Sequence, residues 1–246
     1  MDAHPKRITI LNTPVDVVTM AETLTLIVET LSRSSAKCAQ ICTTNPEFVM
    51  AAQNNPQFLT VLSEALLCIP DGIGLIYASY LKGGPLKERV AGSDLVYRVA
   101  ELAAGQNRSL FLLGSAEGVA AEAARILQQS YPELKIAGTF AGSPAQEERD
   151  SILAMINRSE ADILYVAYGA PQQDIWIFEA LDHFDTVKVA IGIGGSLDFM
   201  TGRSTRAPKW VQQIGFEWLH RLIKEPWRWR RMLVLPRFAW QVLLER

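Results

Sequence analysis

A chain of 246 residues with 49% hydrophobic and 20% charged side chains has the composition of a globular protein with a sizeable core, which excludes a largely disordered one. Its formal net charge of −2 hides an asymmetry. Seven basic residues between Arg221 and Arg246 meet only Glu225 and Glu245, a net of +5, which leaves −7 on the rest of the chain. An acidic body with a basic tail points to an anionic surface as partner and argues against nucleic acid. Cys38, Cys42 and Cys68 form no CxxC and no paired framework; Cys42 and Cys68, in strand-like apolar runs, read as buried thiols, and a reducing cytoplasm fits. Met1 to Arg7 lead into no apolar run, so no secretory signal is expected. No uncharged apolar stretch reaches the roughly 18 residues of a membrane span, so a soluble or peripheral protein is expected.

Residues 7–18 read as two short strands around Asn12-Thr13-Pro14, and 20–31 as a helix with Leu24, Ile27, Val28 and Leu31 on one side. A strand over 39–42 enters the polar corner Thr43-Thr44-Asn45-Pro46. Residues 48–66 are helical with a break at Asn55-Pro56, and the apolar run 66–69 ends in Pro70-Asp71-Gly72. Beyond Gly92, helices are predicted over 96–104, 116–130, 145–157 and 172–181. They alternate with strands over 109–113, 135–140, 163–167 and 187–193. This alternation predicts an α/β, Rossmann-like fold with a mainly parallel sheet and helices on both faces. Ligands then sit beyond the carboxyl ends of the strands. Five of those ends carry polar or glycine-rich corners: 43–45, Asp71-Gly72, Gly114-Ser115, 169–173 and 192–196. One large site on a single rim is the expectation.

The corners supply candidate chemistry. Gly192-Ile193-Gly194-Gly195-Ser196 could present free amides to phosphate oxygens, or simply make a tight strand exit. Gly114-Ser115 precedes a helix whose amino end favours an anion, or Ser115 is a helix cap. Asp71 suits a general base acting on a hydroxyl nucleophile, or caps the helix that follows. Thr43, Thr44 and Asn45 suit sugar or base recognition, and Asn45-Pro46 is equally a turn signal. Gln172 and Gln173 are either site residues or exposed. Arg89, Arg203 and Arg206 are candidate diphosphate clamps, with ordinary surface arginines as the alternative. No Asp-x-Asp pair, His/Cys cluster, Walker loop or Gly-x-Ser-x-Gly elbow occurs, so no metal and no other cofactor is expected.

Five of the six tryptophans (Trp210, Trp218, Trp227, Trp229 and Trp240) lie after residue 209, interleaved with arginine. Such segments suit the headgroup layer of an anionic membrane, with Arg228, Trp229, Arg230 and Arg231 as the expected contacts. Helices packing back on the body are the alternative. The expected division is a catalytic domain over 1–205 and a helical appendage over 206–246.

Taken together, the stretches Thr43-Thr44-Asn45-Pro46-Glu47, Pro70-Asp71-Gly72, Glu88 to Asp94, Phe111 to Gly114, Gly169 to Gln173, Gly192 to Ser196, Arg206-Ala207-Pro208 and Gly215 to Leu219 with Arg221-Leu222 resemble the WecG/TagA/CpsF family of bacterial glycosyltransferases, glycosyltransferase family 26, over nearly the whole chain. The resemblance implies transfer of a sugar from a UDP-linked donor to a polyprenyl-diphosphate-linked sugar, at the inner face of the cell membrane, in polysaccharide or teichoic acid synthesis. It assigns the base to Asp71, donor contacts to Thr43, Asn45 and Gln173, and an appendage arginine to Arg221. A homo-oligomer is compatible with it. Thr-Thr-Asn-Pro-Glu departs from the Thr-Pro-Asn-Ala-Glu of teichoic-acid members, which bears on the identity of the donor. Two other classes stand beside this reading: a dinucleotide-dependent oxidoreductase, and a non-catalytic nucleotide-sugar-binding protein on the membrane.

Overall fold

The computed structural model describes residues 4–33, 37–208, 211 and 216–245, with the backbone alone at Arg221 and Arg228. Trp210, Gly215 and the side chains of Arg221 and Arg228 lie outside the described residues. The chain opens with a hairpin of β1 (Arg7–Ile10) and β2 (Thr13–Asp16). Its turn is Leu11-Asn12, both in the left-handed region at φ 47° and 59°, the pair a two-residue hairpin requires. The expected centre therefore moves: Pro14 lies within β2 opposite Thr9, on a two-stranded ribbon that tolerates its missing N–H. Arg7 forks onto the fully buried Asp16 at 2.8 and 2.9 Å. Asp16 also accepts the Cys68 N–H at 2.6 Å, which ties the hairpin to the main sheet.

That sheet holds β3 (Ala39–Thr44), β4 (Leu67–Pro70), β5 (Ser109–Gly114), β6 (Lys135–Phe140), β7 (Ile163–Ala167) and β8 (Val189–Gly192). Every pairing is parallel, in the order β4-β3-β8-β7-β5-β6. The helices are α1 (Met20–Ser32), α2 (Pro46–Ala52), α3 (Pro56–Glu64), α4 (Ile73–Leu81), α5 (Gly92–Gly105), α6 (Val119–Ser130), α7 (Gln146–Arg158), α8 (Gln172–Ala180) and α9 (Ser196–Met200), followed in the tail by α10 (Glu217–Lys224), α11 (Trp229–Met232) and α12 (Val234–Leu244). Alternation along each strand feeds two cores. Leu110 and Leu112 pack with α1, α5, α6 and α9, whereas Phe111 and Leu113 pack with α7 and α8. The predicted α/β architecture with helices on both faces is therefore present.

Two elements differ from the sequence reading. α6 begins at Val119 behind Gly118 (φ 78°), so Ser115 is not its cap. Between Gly72 and Gly92 the sequence reading assigns no element, yet α4 forms there. Ile73-Gly-Leu-Ile-Tyr-Ala-Ser-Tyr-Leu81 is apolar almost all round, so no amphipathic period marks it. At the other end of the chain, α12 buries Phe238 and Val242 among Ile10, Val15, Val49, Leu75 and Ala78. The last helix thus packs back on the hairpin, α2 and α4. No helix among the described residues is long and apolar enough to cross a membrane.

Candidate active site

All six strands run in one direction, so their carboxyl ends share a rim, and a cavity of about 1150 Å³ opens there. Four of the five expected corners send predicted residues to its wall: Thr43 at the end of β3 with Asn45 just beyond it, Asp71 after β4, Gln173 at the start of α8, and Gly194 with Gly195 after β8. The fifth contributes Ser115 and Ala116 in place of Gly114. Gly114, at φ 98°, is needed for packing, because a Cβ there would come within 2.9 Å of the Ala167 backbone.

Backbone pairing places Asp71. Its N–H donates to the Thr44 carbonyl at 2.7 Å, extending the β3–β4 ladder by one residue. The Val90 N–H donates to Pro70 O at 3.0 Å and so brings Arg89 alongside. Gly92 closes the corner, because a Cβ there would lie 2.9 Å from Thr43 Cγ2 and 3.1 Å from Asp71 Oδ2. The helix-cap alternative does not hold for Asp71, since the N-cap of α4 is Gly72 and no side chain caps the helix. Its carboxyl is instead turned to the cavity, 3.7 Å from the Arg89 guanidinium. Burial pushes it up to about 6, opposed by Arg89 and the Gly92 amide, while Glu217 adds to the rise.

Thr43 and Asn45 serve the fold and the wall at once. Thr43 Oγ1 donates to Gly192 O at 3.0 Å, and Asn45 Oδ1 caps α2 by accepting the Phe48 N–H at 3.1 Å. Gln173 is buried, not exposed. Its Oε1 accepts the N–H groups of Gly169 at 3.2 Å and Gly194 at 2.9 Å, so one amide clasps two glycine loops. The Gly194 amide is accordingly committed to Gln173 and is not free for a phosphate. Beside it, Asp174 is fully buried under Gly192, and neither carboxyl oxygen has a hydrogen-bond partner of acceptable geometry among the described residues. Burial pushes its carboxyl up to about 7, opposed by the nearby Gln173 amide and Cys42 thiol.

Of the three arginines expected as clamps, Arg203 is exposed and does not line the cavity, while Arg89 and Arg206 belong to one charge network. Arg89 meets Glu217 at 2.7 Å, and Arg206 meets Asp94 at 2.7 Å and Glu217 at 3.8 Å. Arg206 stands behind the cavity wall, whereas Arg89 and Glu217 line it. Arg89 Nε and Arg206 Nε and Nη2 are buried without hydrogen-bond partners among the described residues, and an anion would satisfy such donors. In the sequence Glu217 stands out only as part of a family signature; its one local signal is an acid set between Phe216 and Trp218. Asp198, which accepts from Ser115 Oγ at 3.2 Å and lines the cavity, was also missed.

The tail divides. Arg231 turns inward onto Glu47 and lines the cavity, while Trp229 is 53% exposed and Arg230 lies 5.3 Å over its ring in the solvent. No group of three or more His, Cys, Asp or Glu side chains among the described residues is arranged to hold a metal.

A model of the WecG/TagA/CpsF family of glycosyl transferases matches residues 8–246. Two N-acetylglucosaminyldiphosphoundecaprenol N-acetyl-beta-D-mannosaminyltransferases, from Bacillus subtilis (strain 168) and Bacillus spizizenii (strain ATCC 23059 / NRRL B-14472 / W23), are each 36% identical to this chain. The matches cover 84% and 87% of this chain and 80% and 82% of those proteins. A protein of the same name from Staphylococcus aureus (strain MRSA252) is 28% identical over 98% of this chain and 93% of its own length. With a family match that runs from the first strand of the hairpin through the tail helices, the chain belongs to the WecG/TagA/CpsF family and is a glycosyltransferase.

Proposed function

We propose that this glycosyltransferase moves N-acetylmannosamine, or a related hexose, from a UDP-sugar to a polyprenyl-diphosphate-linked sugar, with inversion and without a metal. The acceptor hydroxyl oxygen attacks the anomeric carbon from the face opposite UDP. The new glycosidic bond forms as the bond to the UDP oxygen breaks, and the hydroxyl proton passes to Asp71. Arg89, and Arg221 from the tail, stabilise the departing diphosphate, while Thr43, Asn45 and Gln173 position the donor. The carrying observation is the Asp71 carboxyl on the wall of the cavity where these corners converge, with a proton affinity raised towards neutrality. The names of the 36% identical relatives support the acceptor class and the N-acetylmannosaminyl group.

The place of action in this reading is the inner face of the cell membrane, where the exposed Trp227, Trp229 and Arg230 rest on anionic headgroups.

Release of UDP by purified protein, with a synthetic lipid-diphosphate-N-acetylglucosamine acceptor and a panel of UDP-sugars in the presence of EDTA, tests the reading. Acceptor-dependent release with one donor is expected. Asp71→Asn should lower kcat by about 10²–10⁴-fold, the scale of a lost general base, with a thermal melt no lower than that of the wild type. Near-normal turnover in that variant would remove Asp71 from the role, and no release with any donor would leave a binding protein in place of the proposed reaction.

A further inference from the structure

The cavity does not end at the polar rim. Beyond Gly72 it continues outward between α4 and α12, which run side by side in the same direction. At one end of this groove Gly74 faces Phe238: a Cβ on Gly74 would lie 3.6 Å from the Phe238 ring. At the other end Lys82 Nζ bonds Glu245 Oε2 at 2.7 Å. Along the groove, Ile73, Tyr77 and Leu81 line the cavity from α4, and Leu235, Ala239 and Leu243 line it from α12. Each set recurs every fourth residue, so each forms a stripe along its helix. The nine residues of α4 give the groove a length of about 13 Å. Its lip stays apolar too, with Tyr80, Trp240 and Leu244 each more than 60% exposed. Exposed apolar surface this continuous marks a binding face.

Along the cavity the chemistry changes in a fixed order. Innermost are Asp71, Thr43 and Asn45. At the junction stands the start of α4, Gly72-Ile73-Gly74, which has no side-chain cap, together with Arg231, held there by Glu47. Amides at a helix start and a guanidinium both suit an anion. The apolar groove follows. This order of hydroxyl-handling, anion-handling and apolar walls is that of a sugar joined through diphosphate to a hydrocarbon chain.

We propose that the α4–α12 groove is the subsite for the first isoprene units of the acceptor, with its diphosphate at the junction of Gly72-Ile73-Gly74 and Arg231. This rests on the acceptor class proposed above. The groove holds the chain lifted from the bilayer, so prenyl length sets acceptor affinity even where no bilayer is present.

The test uses N-acetylglucosamine-diphosphate acceptors of graded prenyl length, the shorter ones soluble without lipid, and reads UDP release from UDP-N-acetylmannosamine, or from whichever UDP-sugar the donor panel selects. For the wild type, kcat/KM should rise about tenfold or more with chain length and then level off once the chain fills the groove. Ala239→Trp fills the groove, and Leu81→Glu places a charge in it; each should flatten that rise to within about threefold, mainly through KM. Thermal melts and the Kd for the UDP-sugar show whether each variant is folded, and one folded variant suffices. If a folded variant keeps the full dependence on chain length, the subsite is wrong. It is equally wrong if the variants lose only binding to anionic vesicles, for the groove would then be no more than membrane-facing surface. If no prenyl acceptor supports release in the wild type, the acceptor class itself fails and the subsite with it.

Discussion

The proton affinity of Asp71 is set by burial, by Arg89 and the Gly92 amide, which favour the anion, and by Glu217, which disfavours it; Arg206 adds a weaker attraction. For the reaction proposed, Asp71 must be ionised, so kcat should fall as pH drops through about 6. Glu217→Gln removes a negative charge from Asp71's surroundings, so the acidic limb should move to lower pH. A stopped-assay pH profile of kcat checks this, and an unmoved limb would show that Glu217 does not tune the base. Asp71, Thr43 and Asn45 were legible in the sequence because polar residues that terminate apolar runs stand out. Glu217 was not: the arginine it holds most closely, Arg89, is 128 positions away, a separation that no local pattern reports.

At the scale of elements, strands flanked by turns were readable because burial on both faces leaves continuous apolar runs. α4 was not readable for a related reason. One side of it, Leu75 and Ala78, meets the core, and the other, Tyr77 and Leu81, lines the groove, so neither side is polar. Its packing on α2 depends on Gly74, where a Cβ would lie 2.9 Å from the Pro46 ring, with Phe238 of α12 next at 3.6 Å. Gly74→Val should therefore overpack the seam between α2, α4 and α12 and cost about 1–3 kcal/mol, read as a lower urea midpoint. An unchanged midpoint would mean that the Pro46 ring and its neighbours yield to the added side chain. The tail's composition announced aromatic and basic helices. Which side chains face inward was settled by the apolar patch that the hairpin, α2 and α4 offer to Phe238 and Val242.

For the whole molecule, the buried Asp174 links stability to pH. Its carboxyl rises from the ordinary 3.8 to about 7 in the folded state, so the folded chain holds the proton more tightly than the unfolded one. The contribution of Asp174 to stability is fully present below about pH 4 and is lost as pH rises towards about 7, by up to roughly 4 kcal/mol. Urea unfolding at pH 5 and pH 8 should show the part of that fall lying above pH 5, roughly 3 kcal/mol, for the wild type and a flatter dependence for Asp174→Asn; equal slopes would count against it. Surface charge is a second whole-molecule property. Sedimentation with anionic vesicles should weaken as salt rises, and neutral vesicles should bind less; binding indifferent to both would rule out headgroup attraction by the tail.

The sequence by itself determined the α/β alternation, the rim of polar corners and the asymmetric charge, because these follow from local periodicity, turn chemistry and composition. Only the tertiary structure decided that Gln173 clasps two glycine loops, that Arg89 and Arg206 are bound to an acid from the tail, and that α4 and α12 enclose an apolar groove. Each of these joins residues far apart in the chain, and their meeting is fixed by how the helices pack on the sheet.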